Sequence, residues 1–186
     1  AETEQVFFEK QPMQWARWPN MRYSENWIES KKWAYTDTGS LPGKVVCERL
    51  KELQGLDLTG AWAYLKYAKG NNTYSRKIKD WQPGKSYFTW EDKLFYDKKF
   101  TSEDGESGHP DLEKEKLAKY LAKNEFFLRG NLSLLDAEEE WFHDQEKGYL
   151  YFKPVGGLKP GRGVVSIKKR DCGFVAKDRS YVRIQG

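Results

Sequence analysis

Short runs with an apolar–polar period of two follow one another along this chain, separated by turn-forming residues. The clearest run is Gly60 to Tyr67, where Trp62, Tyr64 and Lys66 fall on one strand face and Ala61, Ala63, Leu65 and Tyr67 on the other. Glu4 to Met13 reads as strand, turn and strand, and Pro19 ends any regular ladder after Trp15. Further strands are expected over 73–81, 86–90, 126–129, 141–144, 149–152, 164–168 and 181–184, with turns at Gly70-Asn71-Asn72, Pro83-Gly84 and Glu146-Lys147-Gly148. Val45 to Leu58 mixes a short strand with a helical turn, and its period is ambiguous. Residues 21–43, broken by Gly39 and Pro42-Gly43, read as a long, partly irregular loop, and 97–110 as a charged one. A helix is predicted over 111–123, where Leu112, Leu117, Tyr120 and Leu121 share a face. The sum is a mainly all-β chain: one domain over 1–186, an antiparallel β-sandwich or partly closed barrel with one short α-helix near 111–123.

Composition changes this picture in one respect. Aromatic residues make up 16% of the chain, more than a core of this size needs, so some should stand at the surface. Charge changes it little: 32 basic and 28 acidic residues give a net charge of +4, spread along the chain. No dense basic stripe points to nucleic acid, and no apolar run approaches a membrane span. A monomer is expected. Cys47 and Cys172 lack zinc-ligand spacing and read either as a disulfide closing a long loop or as two buried free thiols.

Flat rings stack on the C–H faces of pyranoses, while neighbouring polar groups take the hydroxyls. Trp27, Trp33 and Tyr35, in a polar loop with Arg22 and Lys32, have that profile; Trp81 and Trp90, flanking a turn, are weaker candidates. The opposing reading packs these rings beneath the loop. Trp15, Trp18 and Trp62 read as core, and Arg17 as a brace for the turn at Trp18-Pro19. The acidic group Asp136, Glu138, Glu139, Glu140 and Asp144 is open to three readings: a solvated turn, a surface calcium site, or a catalytic carboxylate pair. No cofactor is expected, a structural calcium being the alternative. His109 and His143 read as structural.

Several strings in order carry a resemblance. Gln5-Val6-Phe7-Phe8 followed by Met13 to Asn20, then Leu135 to Asp144 with Gly148 to Pro154, and finally Arg179 to Gly186 together resemble segments of secreted right-handed parallel β-helix proteins, among them glycoside hydrolases and polysaccharide lyases. One departure is Glu138-Glu139, where the similar string carries Pro-Gly, so a different turn is expected there. The resemblance implies an accessory sandwich or barrel near the N-terminus of a larger extracellular or periplasmic protein, whose first coil would begin near 179–186. It places the catalytic carboxylates on those coils. The expected function is therefore a non-catalytic carbohydrate-binding or substrate-positioning module for a polysaccharide. The alternatives are a structural cap for the β-helix, or a part contributing to a hydrolase or lyase site. The slight positive balance permits acidic or sulfated sugars without establishing them.

Overall fold

A computed structural model describes residues 5–22, 25, 32–40, 43–67, 72–81, 84–90, 122–161, 164–170 and 172–185. Its strands are β1 (Val6–Phe8), β2 (Gln11–Pro12), β3 (Gln14–Trp15), β4 (Arg17–Trp18), β5 (Ala34–Tyr35), β6 (Lys44–Val46), β7 (Trp62–Tyr67), β8 (Asn72–Lys77), β9 (Asp80–Trp81), β10 (Tyr87–Thr89), β11 (Glu125–Arg129), β12 (Glu140–Asp144), β13 (Tyr149–Lys153) and β14 (Val165–Ile167). The fold is all-β, as expected. Among the described residues the helical turns, all of the 3-10 kind, are Glu48–Leu53, Leu132–Leu134 and Val155–Gly157. The strand and the helical turn expected within 45–58 are both present, as β6 and then the first of these. No helix among the described residues is long and apolar enough to cross a membrane.

The largest sheet runs β4-β11-β7-β8, with β5 also pairing β11. Period-two sequence decides its two faces. On β7 and β11, Ala63, Leu65, Phe126 and Leu128 point inward and are buried, joining Trp18, Val45, Leu50, Phe88, Trp81 and Trp90 in the main core. Burial of each large apolar side chain there contributes roughly 1.5–3 kcal/mol. Trp62, Tyr64, Lys66, Phe127 and Arg129 take the opposite, half-buried face. The β6-β10-β9 sheet supplies Val45, Phe88 and Trp81 to the same core.

A second cluster, Val6, Phe8, Met13 and Trp141, lies between the β14-β1-β2 and β13-β12-β3 sheets. The β1–β2 hairpin turns at Glu9 and Lys10, both with positive φ (49° and 67°), the handedness that matches strand twist. β3 pairs β12 in parallel, an exception to the antiparallel expectation.

Three expectations are corrected. Trp15 and Trp62 lie outside the main core: Trp15 packs half-buried against the second cluster, and Trp62 stands on the face opposite Ala61 and Ala63. Cys47 and Cys172 are free thiols, one held in the core and one exposed in the C-terminal stretch, so they neither bridge nor share burial. Tyr181 to Ile184 forms no strand; Tyr181 has φ 59° and full exposure, and alternation without a hydrogen-bonding neighbour does not make a ladder. Residues 91–121, including the charged loop and most of the predicted helix, lie outside the described residues, and 122–123 form a turn.

Gly130 ends β11 with φ +75°, and an added Cβ would meet Trp62 Cδ1 at 3.3 Å. Both the left-handed backbone and the indole oppose a side chain. Gly130→Ala is expected to cost about 2 kcal/mol, read as a lower urea midpoint; an unchanged midpoint would contradict this account of the turn.

Candidate functional site

The half-buried face of the largest sheet borders a cleft of about 710 Å³, lined by Arg17, Trp33, Tyr64, Lys66, Phe127 and Arg129, with Gln14, Glu25, Thr73 and Ser75 among its polar neighbours. Register explains the grouping. Phe127 faces Tyr64 across β11 and β7, and Arg129 faces Arg17 across β11 and β4. Side chains paired in this way leave the sheet on the same side.

Cations and rings interleave there. The Arg17 guanidinium lies 4.1 Å from the Phe127 centroid, Phe127 stacks on Tyr64 at 4.8 Å and 4°, and the Arg129 guanidinium lies 4.0 Å from Tyr64 and 4.4 Å from Trp15. Lys66 Nζ sits 3.9 Å over Trp33, whose ring meets Phe127 edge-on. Each contact of this kind is worth about 0.5–2 kcal/mol, more as water is excluded. These ring faces are therefore largely covered by cations and by one another. The cleft offers a ligand hydrogen-bond donors and ring edges more than open stacking platforms.

Arg17 is 2% exposed. Its Nε donates to the Pro19 carbonyl at 3.0 Å, the bracing read from the sequence. Burial lowers its pKa to about 10, and the neighbouring Arg129 charge pulls the same way against Glu140. Lys66 donates to Glu125 at 2.6 Å, and Arg129 donates through Nη2 to the Tyr64 hydroxyl.

The acidic residues are spread over separate tasks. Glu140 is buried, accepting from the backbone N–H groups of Arg17 (3.2 Å) and Ala137 (3.3 Å), and burial pushes its carboxyl up to about 7. Glu138 accepts from Gly156 N–H, Asp136 from the Asn20 amide, and Asp144 from Lys147 N–H. Glu139 takes φ 67°, left-handed backbone at the place where the similar β-helix string has Gly. Among the described residues no three acidic, His or Cys side chains gather as a metal site requires.

The residues singled out from sequence disperse. Trp27 lies outside the described residues. Trp33 forms a wall of the cleft at 6% exposure. Tyr35 is the exposed ring of the group at 45%; its hydroxyl lies 3.3 Å from Glu125, the partner of Lys66. Arg22 and Lys32 border a smaller hollow of about 350 Å³ with Asn20, Met21 and Glu138. Trp81 and Trp90 are corrected to core residues: both are buried, and Trp81 Nε1 is spent on the Leu56 carbonyl, so neither presents a face to solvent. Sequence reasoning left Tyr64, Lys66, Phe127 and Arg129 out of the site. Their signal was present over 62–66, where aromatic or basic side chains alternate with small or aliphatic ones, whereas over 126–129 a Phe stands on each face and only Arg129 marks the outward one.

No family model matches the chain, and no curated protein matches it. A solved structure described as "Glycoside hydrolase" is similar, with 16% identity and a TM-score of 0.54 over 89% of this chain. The chain spans about a quarter of that protein's length, 26%. At this identity the likeness is one of fold, and the chain has a fold related to one portion of a carbohydrate-active enzyme.

Proposed function

We propose that this chain is a non-catalytic carbohydrate-binding or substrate-positioning module of an extracellular or periplasmic polysaccharide-degrading protein. The observation that carries the reading is the cleft of about 710 Å³, within the size range of small-molecule sites, whose aromatic walls are set with Arg and Lys donors. Tyr35 supplies the exposed ring beside it, linked through Glu125 to Lys66. A glycan would lay a sugar face on Tyr35 and turn its polar substituents towards the donors. The related fold in a glycoside hydrolase agrees with this reading. So does the acidic group, whose carboxylates are engaged one by one rather than poised as a pair across a cleft.

Tyr35→Ala is expected to weaken binding of an oligosaccharide about tenfold, the loss of one stacking ring. Affinity electrophoresis or calorimetry with the intact chain measures this, and equal retention of variant and parent would remove Tyr35 from the site. Retention on no polysaccharide at all would favour the second reading, a structural cap packed against a β-helix. That reading draws on Phe174, Val175, Val182 and Ile184, which stand exposed in the C-terminal stretch.

A further inference from the structure

Arg17 and Arg129 are direct cross-strand partners on one face of an antiparallel pair. Like charges placed there oppose folding. Such a pair is usually relieved by a carboxylate between its members, yet among the described residues neither guanidinium has one within ion-pair distance. The nearby carboxylates are already engaged. Glu125 holds Lys66, Glu25 holds Lys32 and the Arg22 N–H, and Glu140 accepts two backbone donors.

Donors are left over as well. Arg17 Nη2 and Arg129 Nε are buried and have no hydrogen-bond partner among the described residues, and both side chains line the cleft. Buried donors in folded proteins are nearly always paired, so two unpartnered guanidinium nitrogens on side chains that line one cleft are a marked exception. The stacked rings do not remove the need. Phe127 and Tyr64 hold the guanidiniums in place and offer their π-faces, and the Tyr64 hydroxyl accepts from Arg129 Nη2, but neither residue accepts from Arg17 Nη2 or Arg129 Nε. Locked planar forks of this type match the oxygens of a carboxylate or a sulfate and gain little from a neutral hydroxyl.

We infer that the paired guanidiniums of Arg17 and Arg129 form an anion subsite of the cleft, reading a carboxylate or sulfate substituent of the glycan. The inference rests on the glycan-binding reading and narrows it to acidic polysaccharides. The anion would relieve the like-charge pair and satisfy both orphaned donors, while the rest of the sugar stays with the polar rim and Tyr35.

The test is calorimetry at low ionic strength on the 186-residue chain. Its four ligands are a uronate oligosaccharide, its carboxyl-reduced form, a sulfated galactan oligosaccharide and its desulfated form. At least one acidic ligand is expected to bind tenfold or more tighter than its neutral counterpart, and the pair showing the gap identifies the anion. Arg129→Gln is expected to abolish the gap, the acidic ligand's affinity falling tenfold or more and further than the neutral ligand's. Arg129→Lys, which keeps the charge but loses the fork, is expected to retain only part of it, and it serves if the Gln variant fails to give the parent's near-ultraviolet spectrum. Equal binding of acidic and neutral forms, or an undiminished gap in a folded Arg129 variant, overturns the anion subsite and leaves the module reading standing. Binding of none of the four overturns the anion subsite, and, together with no retention on any other polysaccharide, overturns the module reading too.

Discussion

Raising the pH from about 5 to about 8 is expected to lower the stability of this protein through Glu140 by about 2.5 kcal/mol. Desolvation is the principal cause. Glu140 is 1% exposed, and burial lifts its carboxyl from 4.5 to about 7 against the backbone N–H groups of Ala137 and Arg17, with the Asp136 charge adding to the rise. Below 4.5 the folded and unfolded chains both carry the proton. Between 4.5 and about 7 the unfolded chain releases it while the folded chain keeps it, so stability falls as pH rises through that window and levels off above it.

Glu140→Gln is expected to flatten this slope. Its amide nitrogen would face one of the two N–H donors, so the variant should be less stable than the parent at about pH 5 by about 1–2 kcal/mol. The two curves should then cross between about pH 6 and 7, leaving the variant the more stable by about 1 kcal/mol at about pH 8. Urea denaturation at half-unit pH intervals gives both curves. Parallel slopes would show that some other group is responsible.

The second large effect contrasts neighbouring positions of one strand. Phe126→Ala is expected to cost about 4 kcal/mol, because Phe126 is fully buried, with Phe88 and Trp18 rings at 5.9 and 6.2 Å. Phe127→Ala, on the cleft face, is expected to cost about half as much, since the ring is only partly buried. Its larger consequence should be for ligand. Phe127 holds both the Arg17 guanidinium and the Tyr64 ring, so its removal frees the donors that shape the cleft. Denaturation midpoints combined with glycan titration separate the two roles. Equal stability losses, or a Phe127 variant binding as tightly as the parent, would deny that β11 divides core from site.

That division was legible in the amino-acid order. Alternation over 62–66 and 126–129 sorts Ala63, Leu65, Phe126 and Leu128 from Tyr64, Lys66, Phe127 and Arg129, and the folded chain keeps that sorting. The bracing role of Arg17 was readable too, because a planar donor two residues before a proline carbonyl has a local partner. The surplus of rings was legible as a quantity but not as a location. Trp81 and Trp90 flank a turn in the sequence, and turns are commonly exposed, yet Trp81 pairs with Phe88 across β9 and β10, and Trp90, just past β10, donates its N–H to the Gly43 carbonyl at 3.1 Å, so both rings enter the core.

The sequence by itself determined the strand periods, the turn positions and hence an all-β chain, because these depend on residues a few places apart. Which strands became neighbours was decided only by the tertiary structure. Arg17 and Arg129 are 112 positions apart and meet because β4 and β11 pair, which local alternation does not encode. Glu140 reads as one acid among several in a turn, and its raised pKa follows from burial beside the Arg17 backbone. Covered ring faces at the cleft, an exposed Tyr35 and a like-charge pair with no carboxylate at ion-pair distance among the described residues all arise from packing between distant segments, where desolvation and cross-strand register act and sequence proximity does not.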